Sequence, residues 1–144
     1  MPDLQAHLKA AEANRRTLDF IQQHVTHHSP WVVTIAFYTA LHVVEAVLAN
    51  DDIHQDKHEN RHQLLKRTKK YQHIWKHYQP LFNDSMVARY LTSSSQPGAF
   101  SCFSDYLSPK SVISTHVNHN LAQVIKSAGT LLGDPAILAS VSRP

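Results

Sequence analysis

A single cysteine, Cys102, leaves the chain no internal disulfide and no cysteine-based zinc site. Strand-like alternation, internal repeats and long apolar runs free of polar residues are also missing. Residues 31–49 approach membrane length, but His42 and Glu45 interrupt them and argue against a spanning helix. The opening stretch MPDLQAHLKAAEANRR is polar, so the expectation is a cytoplasmic protein with no signal peptide and no membrane contact. With 144 residues, the natural reading is one domain, 1–144, able to bury about two thirds of its unfolded surface without a staple. No pattern in the chain calls for a cofactor.

Histidine is what the chain does have. Twelve of them accompany a net charge of +3, and because histidine titrates between about pH 5 and 8, surface basicity depends on pH. An anionic partner is permitted by that charge but not required.

The apolar spacing predicts an all-α protein. A first helix runs from about Asp3 to Val25, with Leu4, Leu8, Ala11, Leu18, Ile21 and Val25 on one face and Asn14 within it. Ser29 before Pro30 reads as an N-cap with proline at the first helical position, starting a second helix that fades near Asn50. Asp56 and Glu59 have the capping-box offset and start a third helix, ending within 67–70. A fourth carries Ile74, Tyr78, Leu81, Ser85, Ala88 and Leu91 inward to about Thr92, with Pro80 kinking or restarting it. Residues 93–108 are a loop whose Phe100, Phe103 and Tyr106 suggest that it packs down. Ser108 and Pro109 repeat the start signal for a last helix to about 132, with Ile113, Val117, Leu121, Val124 and Ala128 inward and His116 and His119 outward. Short connections imply an up-and-down four-helix bundle of residues 3–92 with an additional C-terminal helix.

The second helix is apolar almost all round, except for a stripe of Thr34, Tyr38, His42 and Glu45 at spacings of four, four and three residues. Burying such groups unpaired costs roughly 1–3 kcal/mol each, and more for the carboxylate, so the stripe predicts a polar network or a pocket. In an up-and-down bundle Glu45 lies roughly 7 Å from the lower rim, at about 1.5 Å per residue. A third helix rising from that rim offers His58, Arg61 and His62 at similar height, and a fourth descending to it offers Arg89 and Tyr90. The expected network is Asn14, Tyr38, His42, Glu45, His58, Arg61, Arg89 and Tyr90.

The segments A-x-x-N at 11–14, W-x-x-x-x-A-F-Y-x-A-L-H-x-x-E-A at 31–46, H-x-x-R at 58–61 and Y-x-x-L-x-x-x-S-x-x-A-R-Y at 78–90 resemble uncharacterised bacterial members of the HEPN superfamily. The resemblance spans roughly residues 8–92. It implies a helical bundle, often a homodimer, associated with RNA or nucleotides. Many HEPN domains are metal-independent ribonucleases of toxin–antitoxin, defence or RNA-processing systems, which makes an antitoxin or nucleotidyltransferase an expected partner. Fold transfers along such a likeness better than chemistry does.

Metal-free RNA cleavage needs a base, an acid and a cation over developing charge, roles that His42, His58, Arg61 and Arg89 can fill. The alternative is an ion-pair network in which Glu45 neutralises Arg61 or Arg89 and merely fixes packing. The Arg-x4-6-His spacing of active HEPN nucleases occurs once, at Arg67 and His73, and twelve histidines supply about one such match by chance. His58 to His62 spells H-E-x-x-H, the zinc-protease motif, but at a polar helix start without apolar flanks, so no metal ligand is assigned; a metal-binding bundle, with Glu45 or His42 as third ligand, is the minor alternative. Lys66, Arg67, Lys69 and Lys70 form a basic patch that can contact phosphate or stay solvated. Cys102, flanked by aromatic residues, reads as a small packed residue.

Overall fold

Residues 4–50 form a helical hairpin. The computed structural model describes residues 2–92 and 100–142 of the chain, and among these all regular structure is helical. Asp3 caps α1, Leu4–Ile21, its Oδ1 accepting from the Ala6 amide at 2.9 Å. Leu8, Ala11 and Leu18 face inward at helical spacing, joined by His7 and Arg15. α1 ends before the expected Val25, in a 3-10 turn, Gln22–His24.

α2, Val25–Asn50, begins earlier than Ser29 and breaks at His28 (φ −133°, ψ 26°). Ser29 is not an N-cap. Its hydroxyl donates back to the Val25 carbonyl at 2.7 Å, while Pro30, lacking an amide, cannot continue the helical ladder at the break. Beyond the break α2 is buried over most of its surface. The stretch 4–50 has the length and hydropathy to cross a membrane, but its most apolar window is mostly buried within the fold.

At the end of α2, Asp52 takes a left-handed turn (φ 61°), with the Ile53 amide bonded to Leu48 O at 2.8 Å and that of Asp52 to Ala49 O at 3.0 Å. This reversal satisfies the last carbonyls of α2 and sends the chain back beside the helix it has just left. Residues 53–57 therefore climb past Glu45 before α3, His58–Arg67, begins. Asp56 does not cap α3; Lys57 occupies that position without a side-chain bond, and Asp56 lines a cleft instead.

A 3-10 turn, Lys69–Tyr71, leads into α4, Gln72–Tyr90. Asp51 at the foot of α2 accepts from Tyr71 OH and, at 2.9 Å, from Lys70 Nζ, which anchors the start of α4 at that rim. From there α4 runs antiparallel to α2, rising from the rim instead of descending to it as expected: Phe37 meets Tyr78 and Phe82, and Arg89 reaches Tyr38 rather than Glu45. The helix passes through Pro80 without a restart.

The C-terminal rod, 109–131, opens as expected, with Pro109 in its first turn and Ser108 Oγ accepting from the Ser111 amide at 3.2 Å. Its middle, Val112–Leu121, is π-helical, and its end, Ala122–Leu131, is α-helical. The wider π turns re-phase the buried face, so His116, expected outside, is fully buried, while His119 is exposed. A final 3-10 turn, Pro135–Leu138, folds Leu138 and Val141 back onto the core.

The protein is thus an all-α, up-and-down bundle with α2 at its centre, packed by α1, α4 and the C-terminal rod. The rod alternates in direction with α4, pairing Asn120 with His77 and His116 with Asp84, so it serves as the fourth rod of the bundle. α3 lies mainly against α4 as an accessory in the α2–α4 connection, rather than as a full rod rising from the rim.

Candidate functional site

Arg61 is the hub of the polar network and only 5% exposed. Its Nε donates to Glu45 Oε1, its Nη1 to His58 Nδ1 at 3.1 Å and its Nη2 to the Gln55 carbonyl at 2.9 Å. Glu45 is itself 8% exposed, so the pair is a buried ion pair with further hydrogen bonds around it. The linker makes this arrangement possible by carrying the first turn of α3 up beside Glu45 of α2. Because Arg61 only donates, His58 Nδ1 accepts, and the neutral ring carries its proton on Nε2. Burial, with the Arg61 and Arg89 guanidinia beside it, holds His58 below the ordinary histidine range.

Arg89 belongs to a different environment. Its Nε and Nη2 donate to Ser85 O and Oγ, both at 3.2 Å, and its Nη1 to Tyr38 OH at 3.3 Å. The guanidinium carbon lies 5.3–5.9 Å from the ring centres of Tyr90, Tyr38 and Phe37. Among the described residues no carboxylate lies within ion-pair distance of it. Tyr90 is 59% exposed, outside the network expected to contain it.

His42 does not join Glu45 in a hydrogen bond. It faces His7 of α1, with their Nδ1 atoms 3.3 Å apart and ring centres 5.5 Å apart. Burial pushes both below the ordinary histidine range. They line a cleft of about 350 Å³ that also exposes Glu45, Arg61, His54, Gln55 and Asp56. A larger groove, about 650 Å³, opens elsewhere between α1 and the rod, with Val117, Ile125 and Leu138 along its wall beside Arg15 and Lys126.

Other expected residues stand apart from these groups. Asn14 is half-buried on α1 and bonds to no member of the network, because Arg15 takes the inward position. Thr34 satisfies its hydroxyl on the Pro30 carbonyl at 2.7 Å. Arg67 and His73 are exposed, one ending α3 and the other in the first turn of α4. Lys66, Lys69 and Lys70 are exposed too, with Lys70 paired to Asp51. In the H-E-x-x-H segment Glu59 is exposed, His58 Nδ1 is engaged by Arg61, and His62 is wedged between Phe82, Trp75 and Tyr78. His62 Nε2 is buried without a hydrogen-bond partner among the described residues, and burial pushes this histidine down to about 4. Cys102 is exposed, not packed, with Sγ 3.2 Å from Ser104 Oγ.

Two groupings escaped the sequence reading. His7 and His54 reach the His42 cleft from separate segments, and only the Asp52 reversal brings His54 there. Asp84 accepts from Tyr106 OH at 2.6 Å and bonds His116 Nδ1 at 2.8 Å, while His116 Nε2 donates to Val33 O at 3.1 Å. That clasp ties α4, the rod, α2 and the 100–108 segment together. Helical periodicity had set His116 on the outward side, so the sequence carried no signal for it. Comparison with protein-family models, curated proteins and solved structures returns no match for the chain.

Proposed function

We propose that this chain is a HEPN-like protein that binds nucleotide units, free or within RNA, at the Arg89 face. The observation that carries the proposal is a guanidinium set at cation–π distance over aromatic rings, with no carboxylate within ion-pair distance among the described residues. Arg89 retains one N–H, on Nη1, for a phosphate oxygen after serving Ser85, Tyr38 and the Met86 sulfur, and a guanidinium suits phosphate recognition. Tyr90 offers an exposed ring on which a base can stack, a sequence-tolerant contact worth about 1–3 kcal/mol. The Nε2–H of His58 is a further donor, next to a guanidinium close enough to lower its basicity.

RNA cleavage is the second reading. In such a reaction the ribose 2′-oxygen attacks the adjacent phosphorus, a base takes the 2′ proton, and an acid protonates the departing 5′-oxygen, leaving a cyclic phosphate. His58 can donate from Nε2, but it serves as base only after releasing Arg61 from Nδ1. This favours association over catalysis, and the burial of Arg61 against the Glu45 carboxylate favours a packing role for that residue. The homodimer, the cytoplasmic location and the toxin–antitoxin or defence setting belong to the same proposal through the HEPN resemblance, and light scattering tests the first.

Fluorescence anisotropy with a labelled single-stranded RNA, competed by mononucleotides, tests the site. Arg89→Gln is expected to weaken binding about tenfold and to lower the slope of log affinity against log salt by about one. Tyr90→Ala is expected to weaken binding at all salt concentrations. Wild-type-like binding by a folded Arg89→Gln protein overturns the proposal, as does absence of binding to either ligand.

A further inference from the structure

The His7–His42 cleft is separate from the Arg89 face and contains an unusual juxtaposition. Two imidazoles from different helices aim like nitrogens at each other, Nδ1 to Nδ1, at 3.3 Å. That separation lets one neutral ring donate a hydrogen bond to the other. It matches the edge of a coordination tetrahedron: two nitrogens each about 2.0–2.1 Å from one ion are about 3.3 Å apart. We propose that this cleft binds one divalent transition-metal ion of the zinc, copper or nickel class, anchored by His7 Nδ1 and His42 Nδ1.

Imidazole nitrogen selects this class over calcium or magnesium, which require oxygen ligands. Charge in the cleft is compatible with a cation, since Glu45 and Asp56 face it against the single guanidinium of Arg61. Among the described residues no group of three or more His, Cys, Asp or Glu side chains is placed to hold a metal ion. Two protein nitrogens therefore anchor the ion and leave its other positions to water, to an incoming ligand or to His54 on the facing linker. The anchors differ in rigidity: His42 sits in the central helix, while His7 lies in the second turn of α1, next to the N-terminal Pro2 that also borders the cleft. The site is distinct from the H-E-x-x-H segment, whose two histidines are committed to Arg61 and to an aromatic cage.

The test uses the full chain stripped with a chelator and titrated with zinc against a chromogenic competitor, with cobalt as the spectroscopic probe. The expected result is one equivalent that outcompetes the scattered surface histidines, with cobalt absorption bands of a nitrogen-ligated ion. His7→Gln and His42→Gln should each weaken that equivalent at least tenfold, while His73→Gln, altering an exposed histidine, should leave it unchanged. If His42→Gln does not fold, His7→Gln decides the outcome. Affinity equal in His7→Gln and wild type overturns the proposal, as does failure of wild type to hold a stoichiometric ion. RNA binding at Arg89 is untouched by either result.

Discussion

Arg61 and Arg89 carry the same side chain and flank the same histidine, yet one is closed and the other open. Every nitrogen of the Arg61 guanidinium is bonded inside the fold, to a carboxylate, an imidazole and a carbonyl. Arg89 is held from beneath by Ser85 and Tyr38, backed by aromatic rings, and has no described carboxylate to neutralise it. A buried charge whose bonds are all internal contributes to holding the structure together. A half-buried charge with internal hydrogen bonds but no described carboxylate beside it is left to meet an anion from outside.

The largest effect expected from breaking this contrast is on stability. Arg61→Ala leaves Glu45 buried without its partner and should lower unfolding free energy by about 3–5 kcal/mol, read by urea denaturation. Arg61→Lys should recover little of that loss, because one ammonium cannot span three acceptors held in different directions. Full stability in either variant would remove the distinction between the two arginines.

A second closed group sharpens the comparison at smaller magnitude. Asp84→Asn keeps the shape of the Tyr106–Asp84–His116 clasp but removes its charge, with an expected loss of about 1.5–3 kcal/mol and no change in RNA binding. Arg89→Gln should show the opposite pattern, with stability within about 1 kcal/mol of wild type and the tenfold loss appearing only in nucleotide affinity.

The last effect concerns acid. His62 has its folded-state value depressed to about 4 from an ordinary 6.5, so the unfolded chain binds the proton more readily. Stability should be full above pH 6.5 and fall as pH drops towards 4, with His58 adding in the same direction. His62→Phe, which keeps a ring against Phe82 and Trp75, should flatten that slope in denaturation midpoints between pH 7 and 4. An unchanged slope would place the acid sensitivity elsewhere.

Much of this was legible before folding. The near-uniform apolarity of residues 31–49 marked α2 as the central rod, and its lone Glu45 required a partner that Arg61 supplies. Ser108 with Pro109 marked the start of the rod. What escaped notice depended on departures from regular geometry. Asp52 adopts a left-handed conformation that no flanking pattern announces, and it turns the linker back beside α2, carrying His54, Gln55 and Asp56 to the cleft. The π-helical stretch shifts the periodicity on which the expected inward face of the rod was based, which is why His116 was placed outside.

The amino-acid order by itself determined the helical rods, their buried stripes and the need for a polar network at Glu45. These follow from local propensity and from the cost of burying polar groups, both set within a few turns of chain. Tertiary structure alone decided that the C-terminal rod completes the bundle, that Arg61 is closed while Arg89 stays open, and that His7 meets His42. Contacts between residues tens of positions apart depend on the direction in which each connection leaves its helix, and periodicity carries no record of that direction.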